Sequence, residues 1–119
     1  MTDLAVWLET EFARREALAR AAACKDDKCA CGVWDAEEMD GEIRDARNSG
    51  TIANVYWRRY ADHMAANDPA DVLRRVAADR KMLAECVNVL NGWNSPNANT
   101  LAEDAIRLLA EGYGWTAAE

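Results

Sequence analysis

The sequence lacks a hydrophobic run long enough to cross a membrane. No window of its 119 residues approaches the roughly 20 apolar residues that a spanning helix needs. Its start, Met1-Thr2-Asp3-Leu4, also lacks the basic segment and apolar run of a secretory signal peptide. We therefore expect a cytoplasmic protein without a membrane partner, whose four cysteines are thiols or metal ligands rather than disulfides.

Basic residues are too few for a protein whose main partner is a nucleic acid. Fourteen lysines and arginines stand against 21 aspartates and glutamates, so the net charge is −7. Phosphate backbones are bound by clustered lysine and arginine side chains. The segment Tyr56-Trp57-Arg58-Arg59-Tyr60 combines aromatics with arginine, as base-stacking surfaces do, but the overall charge argues against that use.

What the sequence does contain is typical of one folded domain. Half of the residues are apolar and 29% are charged, with both signs mixed, which indicates a globular rather than a disordered chain. A chain of this length buries roughly two-thirds of its surface and needs no disulfides. We expect a single domain over 1–119.

The spacing of apolar residues predicts an α+β fold that is mostly helical. Four segments have helical spacing, and a polar loop and a segment of period-two alternation lie between the first two. The expected elements are, in order, an N-terminal helix over 1–23, a cysteine loop over 24–32, a β-hairpin or small three-stranded sheet over 33–56, and helices over 57–66, 68–91 and 100–111.

The helix predicted over 68–91 is the longest and has the clearest boundaries. Asp68 suits the N-cap, since its carboxylate can accept free N–H groups of the first turn. Pro69 suits the first helical position, where its missing N–H costs nothing. Gly92 is available for the left-handed conformation that ends a helix. Asp79 and Arg80 lie at its apolar stripe, either as pairs at the edge of the core or as homodimer contacts.

The last helix is expected to start at Thr100, after a loop over 93–99. Thr100 and Glu103 match a capping box, in which the threonine caps the helix and the glutamate reaches back. Gly112 is expected to end it. Its predicted apolar face contains Leu101, Ala105, Ile106, Leu108 and Leu109.

The strongest chemical grouping is a set of three cysteines on one short loop, Cys24, Cys29 and Cys31. Zinc takes four thiolate or imidazole ligands in a tetrahedron, and Cys86 or the lone His63 is available as the fourth. The spacing is not the common Cys-x-x-Cys pair, and no second pair follows. Exposed free thiols, with Cys86 as a small core residue, are the alternative.

His63 has two interpretations. As a catalytic base it needs an orienting carboxylate, and Asp62 and Asp68 are its neighbours in the sequence. As a structural residue it ends the helix before Asp68-Pro69 and favours the negative end of the helix dipole. We expect the structural role for His63, together with Asp68 and Pro69.

Five tryptophans are a surplus for a domain of this size. Trp34, Trp93 and Trp115 lie in or beside predicted loops, where aromatic residues often anchor interfaces. We therefore expect them to bind a protein partner, although covering the edges of a small core is the alternative.

Several of these residues also resemble a known family. The segments are Asp3-Leu4-x-x-Trp7-Leu8, His63-Met64-Ala65-Ala66-Asn67-Asp68-Pro69-Ala70-Asp71-Val72-Leu73, and Arg107-Leu108-Leu109-Ala110 followed by Tyr113. They are similar to small uncharacterised proteins of actinobacteria and their phages, which carry His-x-Ala-x-x-Asp-Pro-Ala-x-Val-Leu before a long helix. The resemblance implies an origin and no reaction.

Two hypotheses about function follow. The first is a small non-enzymatic protein-interaction module that acts on a host protein or on a second copy of itself, in the host cytoplasm if it is phage-encoded. The second is a zinc-stabilised domain or enzyme that uses the cysteine loop. We favour the first, and expect no cofactor, because nothing in the chain assembles a nucleophile, a base and an oxyanion donor.

Overall fold

Helix dominates the residues that the structure describes. The computed structural model describes 2–23, 33–36, 42–45, 51–54 and 58–117. Their elements are α1 (Thr2–Ala23), β1 (Trp34–Ala36), β2 (Glu42–Asp45), β3 (Thr51–Asn54), α2 (Arg58–Ala66), α3 (Pro69–Asn91) and α4 (Pro96–Gly112). The mostly helical character predicted from the sequence is confirmed. None of the described helices is both long enough and apolar enough to span a membrane.

Both prolines of the chain stand at helix starts. Pro69 is the first residue of α3, and Oδ1 of Asp68 accepts the N–H of Asp71 at 2.8 Å. Pro96 is the first residue of α4, and Oγ of Ser95 accepts the N–H of Ala98 at 3.2 Å. Each helix therefore begins with a capping side chain followed by a proline, whose missing N–H costs nothing at this position.

The predicted start of the last helix at Thr100 is wrong. The helix begins at Pro96, so residues 96–99 are helical rather than part of a loop. Thr100 lies inside the helix, and its hydroxyl donates to the carbonyl oxygen of Pro96 at 3.0 Å. The pair Ser95-Pro96 is the cap, because it satisfies the first turn four residues before the Thr-x-x-Glu pattern is reached.

The buried face of α4 also differs from the predicted one. Ala102, Ile106 and Ala110, which are four residues apart, are buried. Leu101 and Leu108, which were predicted to face the core, are 71% and 63% exposed. A helical face repeats every three or four residues, so Ala102 and Ala110 lie on the same buried face as Ile106.

Helix α3 ends at Asn91, as predicted, but not by the predicted conformation of Gly92. Gly92 does not take a left-handed conformation: among the described glycines, Gly114 alone has a positive φ, of 101°. Instead, the side-chain amide of Asn94 donates to the carbonyl oxygen of Val89 at 2.7 Å, and the N–H of Gly92 donates to the same oxygen at 3.3 Å. An asparagine side chain therefore satisfies a carbonyl at the helix end.

The left-handed glycine is Gly114, which follows the end of α4. Tyr113 is the C-cap of α4 and Gly114 follows it. The N–H of Gly114 donates to the carbonyl oxygen of Glu111, and the N–H of Trp115 donates to that of Ala110, both at 3.0 Å. This pair of hydrogen bonds is a Schellman motif, which requires a positive φ at the position of Gly114.

The chain divides into two compact units. The first contains residues 1–14 and 76–119, and the second contains residues 15–75. The core of the first unit is formed by α1, α3 and α4. Its buried residues include Leu8, Phe12, Val76, Leu83, Ala102, Ile106 and Ala110.

The second unit holds the three strands. They pair antiparallel in the order β1-β2-β3, with Trp34 opposite Asp45 and Ile43 opposite Ala53. Helix α2 packs on β1 and β2, and Ile43 and Ala61 are fully buried. The turn expected over residues 47–50 lies outside the described residues.

Candidate functional site

The first unit contains a groove between its three helices, with a volume of about 770 Å³. We call it the three-helix groove. Leu83 and Ile106, which are buried, and Val6, which is 61% exposed, are among its apolar lining residues. The described residues that line it are Ala5, Val6, Glu9 and Thr10 of α1, Leu83, Ala84, Val87, Asn88, Leu90 and Asn91 of α3, and Asn99, Glu103 and Ile106 of α4.

Helical periodicity explains how these residues reach one cavity. On α4 the lining residues are Asn99, Glu103 and Ile106, which lie at positions i, i+4 and i+7 of one face. This face contains Asn99 only because the helix starts at Pro96. The wall that α4 contributes therefore depends on the Ser95-Pro96 cap.

Two polar groups of the groove have partners within the first unit. The hydroxyl of Thr10 donates to the carbonyl oxygen of Val6 at 3.0 Å. The carboxylate of Glu9 lies 3.4 Å from Nε of Arg80. Both side chains therefore have a partner within the protein and do not need a ligand to supply one.

Two other polar groups of the groove differ in this respect. Oδ1 of Asn99 is buried, and none of the residues that the structure describes donates a hydrogen bond to it. Glu103 is exposed, and within the described ranges it forms no ion pair. A buried acceptor without a donor is costly, so Asn99 is a candidate contact for a bound molecule.

Asp79 and Arg80 are pairs at the edge of the core of the first unit. The hydroxyl of Tyr113 donates to Oδ2 of Asp79 at 2.6 Å, and its ring meets that of Phe12 edge to face at 5.1 Å. The guanidinium of Arg80 lies 5.8 Å from the centre of the Phe12 ring and also pairs with Glu9. These contacts tie α3 to α1 and to the end of α4.

In the second unit, a corner between α2 and α3 contains His63, Asn67 and Asp68. The side-chain amide of Asn67 donates to the carbonyl oxygen of His63 at 2.8 Å, which satisfies the end of α2. Asp68 is only 7% exposed and accepts from Asp71 and, through Oδ2, from the N–H of Trp34 at 3.0 Å. The imidazole of His63 is exposed. At this corner, Asp68 therefore both caps α3 and holds the first residue of β1.

Beside this corner lies a shallow depression of about 270 Å³ in the second unit. Its lining includes Leu18 of α1, Trp34, Pro69 and Val72. Nε1 of Trp34 is buried, and no acceptor for it occurs among the residues described.

The three tryptophans predicted to bind a partner lie in different settings. Trp93, in the connection between α3 and α4, is fully exposed. Trp115 is half-buried, and its N–H belongs to the motif that ends α4. Trp34 is half-buried in the second unit. Of the three, Trp93 alone has the full exposure of a free aromatic anchor.

The predicted metal site falls largely outside the described residues. Cys24, Cys29 and Cys31 are not among them. Cys86 is a half-buried free thiol on α3, and burial, followed by the charge of Glu85, raises its pKa. In the described ranges, no three histidine, cysteine or acidic side chains form a group suited to a metal ion.

A comparison with known protein families gives one match. A family of unknown function, DUF6221, has a model that matches residues 1–114. The chain belongs to this family. No curated protein and no solved structure matches it.

The DUF6221 match includes both sites described above. All thirteen lining residues of the three-helix groove lie within residues 1–114, as do Trp34 and Asp68. Sequence reasoning did not identify the groove, since Asn99 was assigned to a loop and Glu103 to a capping box. The missed signal is the Ser95-Pro96 pair, which has the same form as Asp68-Pro69.

Proposed function

We propose that this DUF6221 protein is a small non-enzymatic protein-interaction module that recognises its partner through the three-helix groove. The observation that carries the proposal is the groove itself. It is large, and it leaves Val6 61% exposed beside buried Leu83 and Ile106. Grooves between helices with apolar linings are a common way to bind a segment of another protein.

The lining chemistry supports a binding role. Of the thirteen described lining residues, only Glu9 and Glu103 are ionisable, and the other eleven have apolar, amide or hydroxyl side chains. Apolar surface with a few polar groups that fix orientation is typical of binding sites. Trp93 follows the lining residue Asn91 by two positions and is fully exposed. An exposed tryptophan so near in sequence supplies the type of side chain that dominates binding energies.

The source and the partner belong to the same proposal. The sequence resemblance indicates an actinobacterial or phage origin, and hence a partner in the host cytoplasm. That partner is a host protein or a second copy of the chain. The net charge of −7 supports a protein rather than a nucleic acid.

Photo-crosslinking tests the proposal. A photoreactive amino acid is placed at Val6 in the groove or at Leu108 outside it, residues that are 61% and 63% exposed. The protein is produced in an actinobacterium, and the adducts are identified by mass spectrometry. We expect one dominant protein adduct from position 6 and none of the same identity from position 108. An adduct of twice 13.2 kDa would identify a second copy.

The outcome that overturns the proposal is equally clear. The same mixture of adducts from both positions, or no adduct from position 6, would show that the groove does not recognise a protein. Because both side chains are largely exposed, neither replacement removes a core contact.

A further inference from the structure

We infer that the three-helix groove binds a basic amphipathic helix of its partner. This inference rests on the proposed function and adds the chemistry of the partner. Apolar side chains of the bound helix contact Val6, Val87 and Leu90, a lysine or arginine meets Glu103, and a donor reaches Asn99. The groove, its charge and an unpaired acceptor carry the inference together.

The charge of the groove selects a basic partner. The first unit contains nine acidic and four basic residues, a net charge of −5, whereas the second unit has a net charge of −2. Among the described residues, the groove itself is lined by two glutamates and by no lysine or arginine. Arg80 neutralises Glu9, so Glu103 remains for a cation from outside. Complementary charge speeds association and rejects acidic segments.

The unpaired oxygen of Asn99 is a second feature of the groove that a basic side chain would satisfy. Oδ1 is buried in the free protein, and the described residues offer it no donor. Leaving such an acceptor unsatisfied costs free energy, which is recovered when binding exposes the oxygen and the partner supplies a donor. A lysine or arginine side chain next to Glu103, one turn along α4, supplies such donors.

The shape of the groove favours a helix as the bound element. The lining of α3 runs from Leu83 to Asn91, about 12 Å at 1.5 Å per residue. This length accommodates about two turns of a bound helix, whose anchors at i, i+4 and i+7 all face one wall. An extended segment of the same length would place only every second side chain in the groove.

Synthetic peptides test the inference with the full-length protein. The probe is a fluorescein-labelled 14-residue amphipathic helix of leucine and lysine. Two controls are a leucine and glutamate peptide of the same pattern and a scrambled leucine and lysine peptide without an apolar face. Fluorescence anisotropy measures the Kd at physiological salt. We expect binding of the amphipathic basic peptide, with the acidic and scrambled peptides each at least about tenfold weaker.

Matched variants locate the contact. Glu103→Lys and Glu111→Lys change the net charge equally, on exposed residues of one helix, but only Glu103 lines the groove. We expect Glu103→Lys to raise the Kd about tenfold and Glu111→Lys less than about threefold. Val6→Glu and Leu108→Glu form a second pair of similar exposure, and the first alone should weaken binding.

Asn99→Leu separates a ligand contact from a structural role. Leucine is similar in size and removes the unpaired oxygen, so we expect the free protein to unfold at the same or a higher temperature while the peptide binds several-fold more weakly. A purely structural asparagine predicts a lower Tm and an unchanged Kd for the folded protein.

Three results would overturn the inference. One is an equal effect of the two lysine substitutions, another is equal or better binding of the acidic or scrambled peptide, and the third is an Asn99→Leu variant with unchanged binding. If the photoreactive residue at position 6 still crosslinks one partner, the groove remains an interaction surface. Only its preference for a basic helix then fails. If peptide binding is insensitive to Val6→Glu and position 6 yields no adduct, the proposed function fails as well.

Discussion

The backbone N–H of Trp34 donates a hydrogen bond to Oδ2 of Asp68 at 3.0 Å, across 34 positions of the sequence. The other carboxylate oxygen accepts the N–H of Asp71 and caps α3. One buried side chain therefore starts the long helix and fixes the first residue of β1. A capping residue is usually a local device, whereas here it also makes a long-range contact.

Replacing Asp68 should therefore cost more than an ordinary cap. Asp68→Ala removes both hydrogen bonds and leaves the N–H of Trp34 without its acceptor, so we expect a loss of about 2–4 kcal/mol in the free energy of unfolding. Asp68→Asn keeps one acceptor oxygen and should lose roughly half as much. Urea denaturation followed by circular dichroism measures both.

Asp104→Asn is the control for this prediction. Asp104 pairs with Arg107 at 2.6 Å on the surface of α4, and both side chains are 44% exposed. Such a pair contributes little, so we expect a change within about 0.5 kcal/mol. A loss from Asp68→Ala no larger than that of Asp104→Asn would show that the contact with Trp34 does not stabilise the fold.

The start of α4 can be tested with two hydroxyl residues. Ser95→Ala removes the side chain that accepts from Ala98, and we expect it to cost about 1 kcal/mol. Thr100→Ala removes a hydroxyl that donates to a carbonyl within the helix, and alanine has the higher helix propensity. We expect the second change to be neutral or stabilising by a few tenths of a kcal/mol. The reverse order of stabilities would restore Thr100 as the cap.

Two glycines at the end of α4 should respond in opposite directions. Gly112 is helical, and a Cβ there would meet no atom within 4 Å. Gly112→Ala should therefore stabilise the protein by about 0.5–1 kcal/mol. Gly114 has a φ of +101°, which is unfavourable for alanine, so Gly114→Ala should destabilise it by about 1–2 kcal/mol. Thermal unfolding of the two variants compares them directly, and changes of the same sign would contradict the Schellman motif.

The helices show how far sequence reasoning reaches. The ends of α3 are local, and Asp68, Pro69 and the apolar period place them within one residue. The start of α4 was equally local but was missed, because a capping box was preferred to the Ser95-Pro96 pair. The sequence contains both capping patterns, and the helix starts at Ser95-Pro96, the pattern closer to α3.

The three-helix groove could not be predicted from the sequence, for a different reason. Its walls come from 5–10, 83–91 and 99–106, segments that are distant in sequence. The cavity depends on how three helices pack, which no single periodic pattern specifies. The contact between Trp34 and Asp68 could not be predicted either, because neither residue type indicates a hydrogen bond to a residue 34 positions away.

Cys86 allows a prediction about pH. Burial and the charge of Glu85 raise the pKa of its thiol, so the reactive thiolate is scarce at neutral pH. In a variant with serine at positions 24, 29 and 31, we expect iodoacetamide to alkylate Cys86 more slowly than a free cysteine at pH 7.5. The rate should rise with pH and reach half of its maximum above the roughly 8.5 of an unperturbed thiol. A midpoint at or below that pH would contradict the prediction.

The same thiol decides between the two candidate fourth ligands of the zinc hypothesis. Zinc binds thiolates, so a raised pKa makes Cys86 the poorer ligand, and His63 has an exposed imidazole. If the zinc hypothesis holds, zinc added to the wild-type protein should protect Cys24, Cys29 and Cys31 and leave Cys86 to be alkylated at its metal-free rate. Elemental analysis measures zinc per chain. Protection of Cys86 would make it the ligand, and a zinc-free protein with all four thiols reactive would exclude the site.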